Sequence, residues 1–211
     1  MPQETTEILF EELAKNQDDL RLFLSLHFGF YKFFQTLATA FFEKSLYPAL
    51  KARISNRRLT PSPNSSLPDV KGDWLSITSP GRWPEGWCVA IGSEQYNRAR
   101  QIYVQIIVTA EAERKKFEEL KPQLIEAIKQ KFPEEKIEKN QAAIWFYYSS
   151  SSPYQNWETE EGVLKLAQEV AAIKGGAQPC AAEAFSWRYV EDLLALAEIL
   201  DGVWTGKCPE Q

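Results

Sequence analysis

The sequence predicts an α+β fold, with a helical N-terminal segment followed by a small antiparallel sheet covered by helices. Three features carry that expectation. Apolar residues recur at three- and four-residue steps through roughly the first fifty positions. Short runs rich in β-branched and aromatic residues follow between Trp74 and Tyr148. Helical patterns are interleaved with those runs and close the chain, an arrangement of sheet plus covering helices. The expected division is a helical segment over 1–58, a Pro/Ser-rich linker or loop over 59–72, an α+β body over 73–204 and a tail over 205–211.

In order along the chain, Ile8, Leu9 and Leu13 form a short apolar stripe that Lys15-Asn16-Gln17 interrupts, and Asp18 or Asp19 can cap a longer helix. Leu20, Phe23, Leu24, His27, Tyr31, Phe34, Leu37, Ala38 and Phe41 then mark one buried face. Phe28, Phe30, Phe33 and Phe42 fall off that face, so the helix is apolar around most of its circumference. It ends near Tyr47-Pro48 or restarts briefly to Ile54. The segment from Thr60 to Pro68 is dense in Pro and Ser and reads as a hinge or mobile loop.

Strands are expected at Trp74 to Thr78, Trp87 to Ile91 and Gln101 to Val108, the first two joined by a hairpin loop over 79–86. From Glu111 to Phe132 the pattern is helical, with Phe117, Leu120, Leu124, Ile125 and Ile128 inward and Pro133 as its stop. Pro122 should kink or split it. A fourth strand is expected at Ala142 to Tyr148. A helix opening with Glu160 and Glu161 and ending at Gly175-Gly176 follows, then a last one from Trp187 to Asp201 with Val190, Leu193, Leu194, Ala197 and Leu200 inward.

Composition narrows the function classes. The 211 residues, 44% hydrophobic and 25% charged, are those of an ordinary globular chain. Cys88, Cys180 and Cys208 are odd in number and widely spaced, and Met1 to Glu7 is polar and acidic. A reducing, cytoplasmic setting is therefore expected, without a disulfide framework. Leu22 to Phe42 is long enough to span a bilayer, but Lys32 at its centre makes a core helix the better reading. No membrane association is expected.

The net charge of −5 is unevenly placed. Residues 51–108 hold Lys51, Arg53, Arg57, Arg58, Lys71, Arg82, Arg98 and Arg100 against Asp69, Asp73, Glu85 and Glu94, whereas ten acids face four bases from residue 141 onward. An acidic chain is a poor general coat for phosphate polymers. A local basic face at Arg53, Arg57, Arg58, Arg82, Arg98 and Arg100 is nonetheless a candidate nucleic-acid surface.

No catalytic constellation can be assembled, so no catalytic residue is assigned, and no metal or small-molecule cofactor is expected. His27, the single histidine, sits on an apolar stripe and reads as a core residue rather than a base. Lys174-Gly175-Gly176 follows a helix, the wrong order for a phosphate cradle. A metal-dependent nuclease would need an acid such as Asp69 near a (D/E)-x-K triplet, here Glu113-Arg114-Lys115. That triplet falls at a helix start among many other charges. Trp83, beside Arg82 in the Pro/Gly loop, is either an exposed stacking platform or, with Trp87, a closure of the sheet edge.

The run Glu11 to Ile54, with LAKNQDDLRLF and TAFFEKSLYPALKARI, resembles a helical stretch downstream of the nuclease core in certain bacterial PD-(D/E)XK nuclease-like proteins. The similarity continues through Trp74, the charged helix Glu111 to Phe132, Trp145-Phe-Tyr-Tyr148, Asn156-Trp157 and the helix pair Val163 to Ile173 and Tyr189 to Leu200. The resemblance implies an accessory portion without the catalytic acids and lysine, in a restriction or phage–host conflict setting.

The resulting expectation is a non-enzymatic binding or assembly module that acts through a protein partner or as a homo-oligomer, with Phe30, Phe33, Phe42 and Trp83 as candidate partner contacts. A nucleic-acid-binding accessory domain of a nuclease system and a metal-dependent nuclease are the alternatives.

Overall fold

The computed structural model describes residues 36–55, 57–63, 72–96, 99–148, 154, 159–177 and 184–206; at 72–74, 94–96, 99–101 and 160 it describes the backbone alone. The fold is α+β. Six antiparallel strands form one sheet in the order β1-β2-β3-β4-β6-β5. They are β1 (Thr60–Pro63), β2 (Gly72–Thr78), β3 (Trp87–Tyr96), β4 (Ala99–Val108), β5 (Ile137–Lys139) and β6 (Ala143–Tyr147). Among the described residues, the helices that accompany them include α1 (Tyr47–Ile54), α2 (Arg114–Lys131), α3 (Glu160–Lys174) and α4 (Phe185–Thr205).

Period-two alternation explains how the sheet is buried. Leu75, Ile77, Trp87, Val89, Ile91, Ile102, Val104, Ile106, Val108, Ile144 and Phe146 share the helix-facing side and are almost wholly inaccessible. The register places them side by side, with Val89 opposite Ile106 and Ile91 opposite Val104. Helix α4 fills the space above them: Val190, Leu193, Leu194, Ala197 and Leu200 are buried as expected, and so are Leu196 and Ile199. Each such side chain contributes about 1.5–3 kcal/mol by leaving water. Trp87 forms the centre of an aromatic junction, 5.5 Å from Phe117 of α2 and 5.4 Å from Trp204 of α4.

Several details differ from the sequence-based expectation. Thr60–Pro63, expected as part of a loop, pairs with β2 from Thr60↔Thr78 to Pro63↔Leu75 and forms an outer strand carrying Pro61 and Pro63. Among the described residues β5 is the other outer strand. The compact unit that holds the sheet begins at Leu37 and includes the helical residues from Leu37 to Ile54. The expected helix at 8–13 and most of the helix from Leu20 lie outside the described residues.

Helical structure continues through Tyr47-Pro48 because the turn just before it widens. Phe42–Leu46 is a π turn in which the Tyr47 N–H donates to the Phe42 carbonyl. The wider turn relieves the collision a proline ring makes with the carbonyl four residues earlier. Helix α2 likewise runs as one element through Pro122, which does not split it in two. Its buried face of Phe117, Leu124 and Ile128 holds it against its neighbours. Lys121 takes the inward place expected of Leu120 and Ile125, which are only half-buried. Its ammonium pairs with Glu118 and donates to the Asn140 carbonyl at 2.7 Å, which satisfies a charge that burial would otherwise penalise.

Two local features fix the joints. The hairpin loop over 79–86 turns through Gly81 and Gly86, both at positive φ. Gly86 lies against the chain after β4, where its carbonyl accepts from the Thr109 N–H at 2.8 Å. At the start of α4 the N-cap is Ala184, which has no side chain to cap with. The carboxylate of Glu169, from α3, does that work instead: Oε2 accepts from the Ser186 N–H at 3.0 Å and Oε1 from the Ser186 hydroxyl at 2.5 Å. The Ser45 hydroxyl, from the π turn, also donates to Glu169 and stands 2.8 Å from the Ser186 hydroxyl. All three side chains are buried.

Candidate functional site

A concave surface runs along α4, opposite α1 and the hairpin loop. It is built by charge placed at helical spacing. Arg53 lies in the last turn of α1 and Arg57 in the turn that follows it, where the Arg57 N–H donates to the Ile54 carbonyl at 2.8 Å. Glu191, Glu198 and Asp201 recur along one face of α4. Arg53 Nη2 meets Glu191 Oε1 at 2.6 Å, and Arg57 Nη1 meets Glu198 Oε1 at 2.7 Å. Arg82, from the hairpin loop, pairs with Asp201. Arg53 also lies over the Trp187 ring at 4.7 Å. All three pairs are partly open to solvent, so each contributes at most about 1 kcal/mol to stability.

The groove has two adjoining hollows that share Arg57 and Glu198. One, of about 370 Å³, is bounded by Arg58, Arg82 and Trp83 at its far end, with Leu59 and Ala197 supplying apolar wall. The other, of about 330 Å³, lies toward Lys131, Arg188 and Asp192. Arg58 is exposed and has no carboxylate partner among the described residues, while its backbone carbonyl is pinned by the Ser79 hydroxyl at 2.8 Å.

No family model, no curated protein and no solved structure matches this chain.

The groove collects four of the six arginines expected to form a basic face: Arg53, Arg57, Arg58 and Arg82. The first, second and fourth of them are paired with carboxylates, so the basic middle third answers the acidic C-terminal third within the same molecule. Arg98 lies outside the described residues, and of Arg100 only its place in β4 is described.

Of the candidate partner contacts, Trp83 is 6% exposed, so it is not the open stacking platform its loop sequence allowed. Phe42 is buried as well, stacked on Tyr47 with ring centroids 6.3 Å apart. Phe30, Phe33, His27, Asp69, Cys180 and Cys208 lie outside the described residues. Glu113 ends a short 3₁₀ turn ahead of α2, and Lys115 is exposed on its first turn. Among the described residues no three His, Cys, Asp or Glu side chains gather to hold a metal ion. None of the described helices is long and apolar enough to cross a membrane.

Sequence reasoning missed the buried end of the second hollow. Asp192 is 4% exposed, and its Oδ2 pairs with Arg188 Nε at 2.8 Å. Removal from water raises its pKa above the ordinary carboxylate value, against the opposing pull of Arg188 and the Tyr148 hydroxyl. Tyr148 is buried beside it and held well above the usual tyrosine value, first by burial and then by the Asp192 charge. A periodic apolar face hides such a residue: position 192 lies between Val190 and Leu193 and reads as a helix-surface acid.

This arrangement has a signed consequence. Because the folded state binds the Asp192 proton more tightly than the unfolded chain does, this residue's stabilising contribution is complete below about pH 3.9 and is lost as pH rises through its raised folded value. Asp192→Asn, which does not ionise, is therefore expected to gain stability relative to the wild type on going from pH 4 to pH 7. Urea unfolding at the two pH values tests this, and a difference that is constant or moves the other way contradicts it.

Proposed function

We propose that this chain is a non-enzymatic binding or assembly module that acts through a protein partner, with the groove along α4 as its docking surface. The observation that carries this reading is the groove's mixed lining, with exposed arginines and carboxylates alternating beside Leu59 and Ala197. A protein surface carries both signs of charge and apolar patches, and can answer all three at once. The resemblance of the chain to the region downstream of PD-(D/E)XK nuclease cores supports an accessory role in a restriction or phage–host conflict setting.

Site-directed photo-crosslinking in cells tests the reading. A benzoylphenylalanine in place of Leu59, on the groove, is expected to give discrete crosslinked products that Arg58→Glu removes. The same probe in place of exposed Glu126 on α2 is expected to give none of them. Identical products from both positions, or none from the groove, would sink the proposal. Sedimentation velocity over a concentration series decides whether the partner is a second copy of the chain.

A second reading, nucleic-acid engagement, draws on the convergence of Arg53, Arg57, Arg58 and Arg82. It requires an affinity that falls steeply with salt and drops again in an Arg57→Ala/Arg58→Ala double variant. Three of those arginines already hold carboxylates, which favours the protein-partner reading.

A further inference from the structure

Resting on that reading, we infer that the second hollow holds a proton-operated switch: ionised Asp192 keeps Arg188 against α4, and a proton on Asp192 releases that guanidinium into the docking groove. The arrangement of three side chains carries it. Asp192 and Tyr148 are buried, whereas Arg188, whose Nε stands 2.8 Å from Asp192 Oδ2, is 48% exposed and lines the hollow. Among the described residues Asp192 is the one carboxylate that Arg188 pairs with. The buried charge thus depends on a single cation that already stands at the edge of the groove. Burial works against the ionised form, so Asp192 takes up its proton at a higher pH than an exposed carboxylate does. Tyr148 stays neutral throughout, held well above the usual tyrosine value by burial and by the Asp192 charge.

Among the described residues, the charged and titratable groups around Asp192 come from four places. Helix α4 supplies Arg188, Glu191 and Glu198, the end of β6 supplies Tyr148, the end of α2 supplies Lys131, and α1 with the turn after it supplies Arg53 and Arg57. Four cations therefore line this hollow against three carboxylates, and a proton on Asp192 leaves them against two. Released, Arg188 meets Glu191, three residues on and so its neighbour on the helix surface. There it competes with Arg53, which holds Glu191 at 2.6 Å from the other side of the groove. The switch thus adds positive charge to the groove and loosens one of its cross-groove pairs together. Both changes favour an acidic partner surface as pH falls.

The test uses the full chain labelled with ¹³C and ¹⁵N and titrated between about pH 4 and pH 8, the span over which a raised carboxylate changes charge. The Asp192 carboxyl carbon and the Arg188 Nε–H are expected to shift with one shared midpoint. As Asp192 takes its proton, the protection of the Arg188 Nε–H from exchange with water, measured relative to exposed Arg58, is expected to fall about tenfold. In Asp192→Asn that protection is expected to be low across the whole range. Arg188→Gln, which keeps Asp192 but removes its cation, is expected to move the Asp192 midpoint to higher pH. An Arg188 resonance that ignores the Asp192 transition, full Arg188 protection in Asp192→Asn, an Asp192 midpoint unmoved in Arg188→Gln, or no Asp192 transition while the chain stays folded would each overturn the inference. None of these readouts needs a partner, so their failure removes the switch and leaves the groove crosslinks untouched. Loss of the crosslinks would instead remove the docking reading and leave the Arg188 movement standing.

Discussion

Glu169→Ala is expected to lower the free energy of unfolding by about 3–4 kcal/mol, a fall in Tm on the order of 10 °C for a chain of this length. The side chain is 8% exposed and accepts from the hydroxyls of Ser45 and Ser186 and from the Ser186 N–H. Its removal leaves the first turn of α4 without a cap, because Ala184 cannot supply one, and takes a negative charge from the positive end of the helix. Ser45→Ala and Ser186→Ala should cost less, about 1 kcal/mol each, since the carboxylate keeps its other partners. The three residues act as one unit, so the single losses will not add. The apolar triple variant Ser45→Ala/Glu169→Leu/Ser186→Ala is expected to be more stable than Glu169→Ala alone, because it leaves no stranded hydroxyl. Thermal and urea unfolding of the set measure this, and a Glu169→Ala loss under 1 kcal/mol would refute the capping role.

Gly86→Ala should destabilise by about 3 kcal/mol or more, although it adds one methyl group to a loop. At φ +83° an L side chain is strained, and the new Cβ would stand 2.7 Å from both the nitrogen and the Cβ of Ala110. Backbone cannot give way as a flexible side-chain end can, so the junction after β4 must open and the bond from the Thr109 N–H to the Gly86 carbonyl is strained with it. Gly81→Ala is the control: φ is +76° but nothing lies within 4 Å, so only the backbone strain of about 1 kcal/mol applies. The urea midpoints of the two variants should therefore separate clearly at an unchanged slope. Equal midpoints would mean that the loop does not press on Ala110.

The parts of this fold that were legible in the sequence are those with a strong local pattern. Trp87 to Ile91 is a short apolar run and Gln101 to Val108 is rich in β-branched residues, so those strands could be read. Val190, Leu193, Leu194 and Ala197 follow the helical step, which gave the last helix its inward face. Thr60–Pro63 could not, because two prolines in four residues have the local chemistry of a loop, and only the hydrogen bonds of β2 make a strand of them. Ile137–Lys139 is too short for any period to show. The groove was half legible. Its arginines stood out as a basic block, but their pairing with Glu191, Glu198 and Asp201 spans more than a hundred residues and leaves no local pattern. Trp83 misled for the same reason: a Pro/Gly loop implies exposure, and only the packing of the hairpin loop against the chain around it decides otherwise.

The outer strands of the sheet constrain how this protein can associate. Pro61 and Pro63 offer no N–H to a newcomer beside β1, and at the far side β5 gives a run of only three residues. Growth of the sheet by addition of another chain's strand is thus blocked at one margin and starved at the other. Among the described residues the margins of the sheet are thus poor templates for edge-to-edge stacking, which fits the proposed recognition through side chains on the groove.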